Sequence, residues 1–257
     1  MQRRLHPLRA LTAVLRLTWV ELKLFVREPT TAVFVFAFPV ALLFVMGEIF
    51  GARGDSDLYF RGFDAMDYYV PAYFALVAAS IGVIMLPAHL TGYRQGGVLR
   101  RFRAALVPMW IVLGAQVAAA LVLAALGAVL VWFFGWLVYG VSRPADALAV
   151  AVAFIVTTVC FAAIGALLGA LLPAPRAAQG AGLMLFFVML FVSGTGPPTE
   201  VMTSLMVTIG EWLPLSHAVL AIQDAWLGFG WNWPALLILA AVALVASLGA
   251  LRAYRWK

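Results

Sequence analysis

Four arginines, Arg94, Arg100, Arg101 and Arg103, fall within a ten-residue segment that opens Arg94-Gln95-Gly96-Gly97. The paired glycines permit a sharp turn or a close backbone approach. Val98 to Leu106 then reads as a short helix with Leu99, Phe102 and Leu106 on one side. Such an element could press apolar side chains into a pocket on a cytoplasmic protein while arginines pair around the rim. It could equally be the positive charge that cytoplasmic loops of membrane proteins carry without any partner. The residue types alone decide neither.

Other chemistries find fewer residues to use. A nucleotide-binding P-loop needs Gly-x-x-x-x-Gly-Lys-Ser/Thr, because backbone amides and the lysine cradle the phosphates. The only lysines are Lys23 and Lys257, and neither follows such a loop. Ion-coupled carriers place ionisable groups at mid-membrane. The central parts of the apolar stretches hold no Asp, Glu, Lys or Arg, while His89, His217 and Glu48 lie near stretch ends and read as interfacial or satisfied groups. Gln116, Thr157 and Thr158 are the notable polar residues deep in those stretches, where hydrogen bonding between helices is the default role. Cys160 stands alone in an apolar run, so it reads as a small core residue rather than a metal ligand or disulfide half. Neither a metal nor a nucleic-acid partner is expected.

The elements that position these residues follow from composition. Of the 257 residues 65% are hydrophobic and 11% charged, with mean hydropathy +1.02. Soluble domains carry roughly 25% charged residues, so most of this surface faces lipid. A span needs about 20 apolar residues, and six stretches qualify or nearly so: 31–50, 69–90, 109–139, 147–172, 177–194 and 234–251. The third is long enough to tilt; the fifth is short and borrows from its flanks. The expected fold is an all-α membrane protein, a single transmembrane domain over 1–257. With a cytoplasmic N-terminus, fourteen of the seventeen basic residues fall inside and nine of the eleven acidic ones lie in or beside outer segments. Six spans and two cytoplasmic termini satisfy the positive-inside rule. A cleaved signal peptide would have a shorter apolar core nearer the start, so the first span reads as retained.

Before that span, Leu8, Leu11, Leu15, Trp19, Leu22 and Val26 recur at steps of three and four, and Arg9, Arg16, Lys23 and Arg27 fall off that stripe. Residues 8–28 therefore read as an amphipathic helix lying on the membrane surface, able to meet anionic lipid or an acidic partner, with Pro29 ending it. Between the fifth and sixth spans, residues 193–233 mix prolines and glycines with Val201, Leu205, Ile209 and Trp212, which reads as short re-entrant helices. Trp226, Phe229, Trp231 and Trp233 fit an aromatic interface belt; a sugar platform is the other reading.

The run from Arg94 to Pro108 resembles the signature after the second span of ABC-2 type transporter permeases, the transmembrane subunits of ABC exporters. Arg27-Glu28-Pro29 resembles that family's entry to the first span and Tyr68-Tyr69-Val70-Pro71-Ala72-Tyr73 its opening of the second. Val192 to Pro198 and Leu213 to His217 resemble the two halves of its last outer segment. Gln95 stands where the family usually has an acidic residue. The resemblance implies an inner-membrane exporter subunit that is not itself an enzyme. ATP and Mg would be bound by a separate cytoplasmic ABC ATPase subunit. Residues Arg94, Gln95, Gly96, Gly97, Val98, Leu99, Arg100, Arg101, Phe102 and Arg103 would form its coupling helix, and Arg16, Trp19, Lys23, Arg27 and Glu28 a second contact. The permease would pair with a second protomer, identical or paralogous. A pathway between protomers, lined from the first, second and fifth spans, would involve Glu48, Tyr69, Tyr73, Phe187 and Phe191, with Leu205 and Trp212 at an outer gate. Uncharged spans suit an amphipathic or lipid-like cargo such as a drug, natural product or lipid-linked glycan. The rival readings are a non-transporting membrane anchor or assembly factor and an ion-coupled carrier.

Overall fold

The computed structural model describes residues 7–27, 29–50 and 60–255. Ten helices organise them: α1 (Pro7–Val26), α2 (Val33–Phe50), α3 (Ala65–Gln95), α4 (Val98–Ala104), α5 (Met109–Tyr139), α6 (Ala147–Leu171), α7 (Pro175–Val192), α8 (Ser204–Trp212), α9 (Pro214–Leu227) and α10 (Trp233–Arg255). No strand occurs among the described residues. Six helices, α2, α3, α5, α6, α7 and α10, are long and apolar enough to cross a membrane. Helix is the form these sequences must take in hydrocarbon, where every backbone polar group has to be paired within its own segment. The chain is an all-α, multi-pass membrane protein.

Helix boundaries follow local chemistry. Asp64 caps α3 by accepting the Met66 N–H at 2.8 Å, so α3 begins four residues before the expected 69. It then runs on through Tyr93, Arg94 and Gln95, past the expected 90. Asp146 caps α6 through the Ala149 N–H at 2.9 Å, and Pro175 occupies the first turn of α7, where its missing N–H costs nothing. The α8–α9 pair bends by 90° between Trp212 and Pro214, because a proline cannot accept the preceding turn's geometry.

Helix α3 is the axle of the bundle, buried by its neighbours along its whole apolar length. Helices α2, α5, α6 and α7 all pack on it, α9 covers its Ala65–Ser80 half, and α10 packs along α6. The approach to α5 is close because α5 presents Ala120, Ala124, Gly127, Ala128 and Gly135 among its buried positions, and small residues let helix backbones near one another where lipid supplies no hydrophobic drive.

Within α3, Ile81–Met85 forms a π-turn closed by the Leu86 N–H on the Ile81 carbonyl. The Gly82 carbonyl faces Gly165 of α6 and the Val83 carbonyl faces Gly182 of α7, each so closely that a Cβ would collide with it. Two glycines from two helices thus meet backbone displaced by one π-turn. A second π-turn, Val33–Ala37, lies in α2.

Candidate functional site

The basic segment hangs directly from the axle. Gly97, at φ +70°, turns the chain from α3 into α4, a conformation that costs a residue with a Cβ about 1–2 kcal/mol. Helix α4 ends at Ala104, and Leu106 swings out with φ +56°. The Val107 N–H closes back on the Phe102 carbonyl at 2.9 Å. Leu106 is consequently 86% exposed. It does not stay on one face with Leu99 and Phe102, which are half-buried. Val98 is half-buried too, and Arg100, Arg101 and Arg103 are exposed.

Arg94 goes a different way from its neighbours. Its Nη1 donates to the Ala170 carbonyl at 2.8 Å and reaches the Gly169 carbonyl at 3.4 Å, while Nη2 donates to the Leu172 carbonyl. Gln95 Nε2 adds a hydrogen bond to the Pro173 carbonyl at 3.2 Å. The last carbonyls of a helix have no partners of their own and carry partial negative charge. A guanidinium fork meets both needs. Arg94 therefore belongs to the framework that holds the α3–α4 stem against α6, and Gly96 and Gly97 form the turn; the outward charge comes from the other three arginines.

Helix α1 packs against α5 beside this stem. Leu11, Leu15 and Trp19 of the expected apolar stripe are exposed, at 57%, 57% and 59%, as a lipid-facing surface requires. Arg16, Lys23 and Arg27 are exposed as well, and the Lys23 ammonium lies over the Trp19 ring at 5.1 Å. Glu28 lies outside the described residues. The face turned into the bundle holds Val14, Thr18, Glu21 and Phe25. Thr18 Oγ1 donates to the Val14 carbonyl at 2.9 Å and reaches the Ala115 carbonyl of α5 at 3.4 Å. Phe25 meets Phe36 edge-on at 5.6 Å. Glu21 is buried and accepts the Tyr93 hydroxyl at 2.8 Å, while His89 packs on the Tyr93 ring at 5.4 Å. Sequence reasoning missed this contact. The signal was there: Val14, Thr18, Glu21 and Phe25 recur at steps of three and four, on a strip of α1 that runs beside the Leu11–Leu15–Trp19 stripe and away from Arg16 and Lys23.

At the other end of the bundle, predicted pathway residues divide into two groups. Tyr69 and Tyr73 are buried and stacked, 5.6 Å apart at 27°. Phe50, Phe60 and Tyr68 join them in one aromatic cluster, and the Tyr69 hydroxyl donates to the Gly196 carbonyl at 3.0 Å. Glu48 on α2, Phe187 and Phe191 on α7, and Leu205 and Trp212 on α8 are exposed instead. Nearby, Arg61 pairs with Asp224 of α9 at 2.6 Å and lies 4.6 Å from the Phe229 ring. Its backbone N–H donates to Glu200 at 3.2 Å, and Asn232 donates to the second Asp224 oxygen at 2.7 Å. Trp231 and Trp233 stack at 5.2 Å, 14° from parallel. Among the described residues no cluster of three or more metal-ligating side chains occurs.

The family comparison matches the stretch that holds the amphipathic helix, the basic helix hung from the buried second span and the first five of the six spans. The family model for the ABC-2 type transporter covers residues 12–227. The chain belongs to the ABC-2 type transporter family. That stretch runs from α1 to the end of α9, so it includes both the basic stem and the aromatic cluster. No curated protein matches the chain significantly. An ABC-2 chain is the transmembrane permease of an ABC transporter and works with an ATPase subunit rather than hydrolysing ATP itself.

Proposed function

We propose that this ABC-2 permease exports an amphipathic or lipid-like substrate from the cytoplasmic side of the inner membrane, driven by an ATPase subunit that grips α4. The observation behind this reading is the mounting of α4. Its exposed arginines follow the Gly96–Gly97 turn directly after the end of the buried helix α3, where Arg94 clamps that helix to α6. A push on α4 is thereby delivered to the helix on which α2, α5, α6 and α7 all pack.

The positive-inside rule puts this arginine-rich end in the cytoplasm. The spans offer a hydrophilic ion no charged residue at their centres, which favours a cargo with substantial apolar surface. Val33, Val45 and Ile49 on α2 and Met184, Val188 and Phe191 on α7 form exposed apolar stripes. The two helices adjoin, Phe38 meeting Phe186 and Phe187 at 5.8 and 6.0 Å. Together they are the face we assign to a second protomer, with Phe187 and Phe191 where the two copies meet.

Co-purification tests the reading. The chain should retain a membrane-associated ABC ATPase, and R100E/R101E should release it without lowering the permease's own unfolding temperature. Retention unchanged by the charge reversal would sink the docking assignment. Reconstituted complex should move a fluorescent amphipathic cargo when ATP is added; an intact complex moving none would favour the anchor reading.

A further inference from the structure

Helix α1 and the α4–α5 connection do not close on each other. Between them lies a groove of about 410 Å³ lined by Thr12, Ala13, Arg16, Leu17, Phe102 and Val107, a size within the range of about 300–1,000 Å³ typical of small-molecule sites. The floor is apolar. The charged group in the lining is Arg16, which is exposed and makes no ion pair among the described residues.

The surroundings define what would fit. Arg100, Arg101 and Arg103 project from α4, so the potential over the groove is positive. Glu21, the acid in the described part of α1, is turned inward onto Tyr93 and does not offset it. On the α4–α5 side, Leu106 next to Val107 and Trp110 one turn beyond it are both more than half exposed. A groove whose floor leads onto side chains of that kind is continuous with hydrocarbon rather than with water. Its occupant needs an anionic head and an apolar tail. A helix from a soluble partner would satisfy the arginine but would leave Leu106 and Trp110 in water.

We propose that this groove binds one anionic phospholipid, its phosphate on Arg16 and the first part of an acyl chain along Leu17, Phe102 and Val107. The lipid fastens the surface helix to the basic stem from outside, as Glu21 and Tyr93 do from inside. The site does not depend on ATP-driven transport, so it stands or falls separately from the exporter reading.

The test uses full-length protein in neutral detergent, titrated with phosphatidylglycerol or phosphatidylcholine while the unfolding midpoint is followed. Phosphatidylglycerol should raise the midpoint saturably and phosphatidylcholine should not. R16Q should raise the half-saturating concentration about fivefold or more, the worth of one cation at an anionic surface. A13W, which fills the groove, should abolish the response. Native mass spectrometry guards against a misfolded variant: wild type should retain one phosphatidylglycerol that R16Q releases. Equal shifts with both lipids, or undiminished retention in both variants, would overturn the proposal. So would equal protection by inorganic phosphate, which would mark a plain anion site, or displacement of the lipid by the ATPase subunit.

Discussion

Tyr93 donates its hydroxyl hydrogen to Glu21 across 2.8 Å, joining the surface helix α1 to the stem of α4 over a separation of 72 residues. Glu21 is only 6% exposed, and a carboxylate so placed is costly unless hydrogen-bonded. Y93F should therefore lower stability by about 1–3 kcal/mol, because it orphans a buried acceptor. E21Q, which keeps an acceptor oxygen, should cost less. Detergent-solubilised thermal unfolding of both variants and the double variant measures the coupling; additive losses would show that the contact contributes nothing.

Arg94 should behave unlike the arginines beside it. R94A removes donors from three carbonyls at the end of α6, and R94K supplies a point charge where a planar fork is needed. Both should weaken ATPase retention and also lower the unfolding temperature. R100E/R101E should affect retention alone. Equal unfolding temperatures for R94A and wild type would contradict the clamp.

Gly165→Ala should be among the most damaging single-methyl additions to the chain. The new Cβ would strike the Gly82 carbonyl, and overpacking of this kind costs typically about 1–3 kcal/mol. Gly180→Ala, where the Cβ would meet nothing within 4 Å, is the control on the same scale. If the two variants unfold at the same temperature, the π-turn contact is loose.

At the opposite end, R61A and D224A should each destabilise the protein, and the swap R61D/D224R should recover part of the loss. The pair is partly buried, with side-chain exposures of 26% and 14%, so removing one partner should exceed the ~0.2–1 kcal/mol of an exposed pair. Because the second Asp224 oxygen also holds Asn232, D224A should cost more than R61A.

Much of the architecture was written in hydropathy. Met109–Tyr139 lies where an unbroken apolar run places it, and six spans follow from composition because no other element can hide this backbone in lipid. Ends were less legible where a polar residue extends a helix, as with Asp64 before α3 and the Tyr93-Arg94-Gln95 turn after the expected stop. The site was readable in outline. Arg100, Arg101 and Arg103 face outward as a rim of charge should, and Leu11, Leu15 and Trp19 face outward as a lipid surface should. Arg94 could not be told from them, since the carbonyls it serves come from residues 169, 170 and 172. Tyr69 and Tyr73 have the same composition-level character as Phe187 and Phe191, yet packing around α3 encloses the first pair and leaves the second on the surface.

The π-turn at Ile81–Met85 lengthens one turn of α3 by a residue, which rotates everything beyond it by about 100° relative to an uninterrupted α-helix. The tyrosines above it and the arginine stem below it are therefore set in different azimuths on one rod. Relaxing that turn to ordinary α-geometry would carry Arg94 off the α6 carbonyls and swing α4 around the rod's axis. Stem and aromatic cluster thus take their relative azimuth from a single turn, and the glycines at 165 and 182 are the clearance in which it sits.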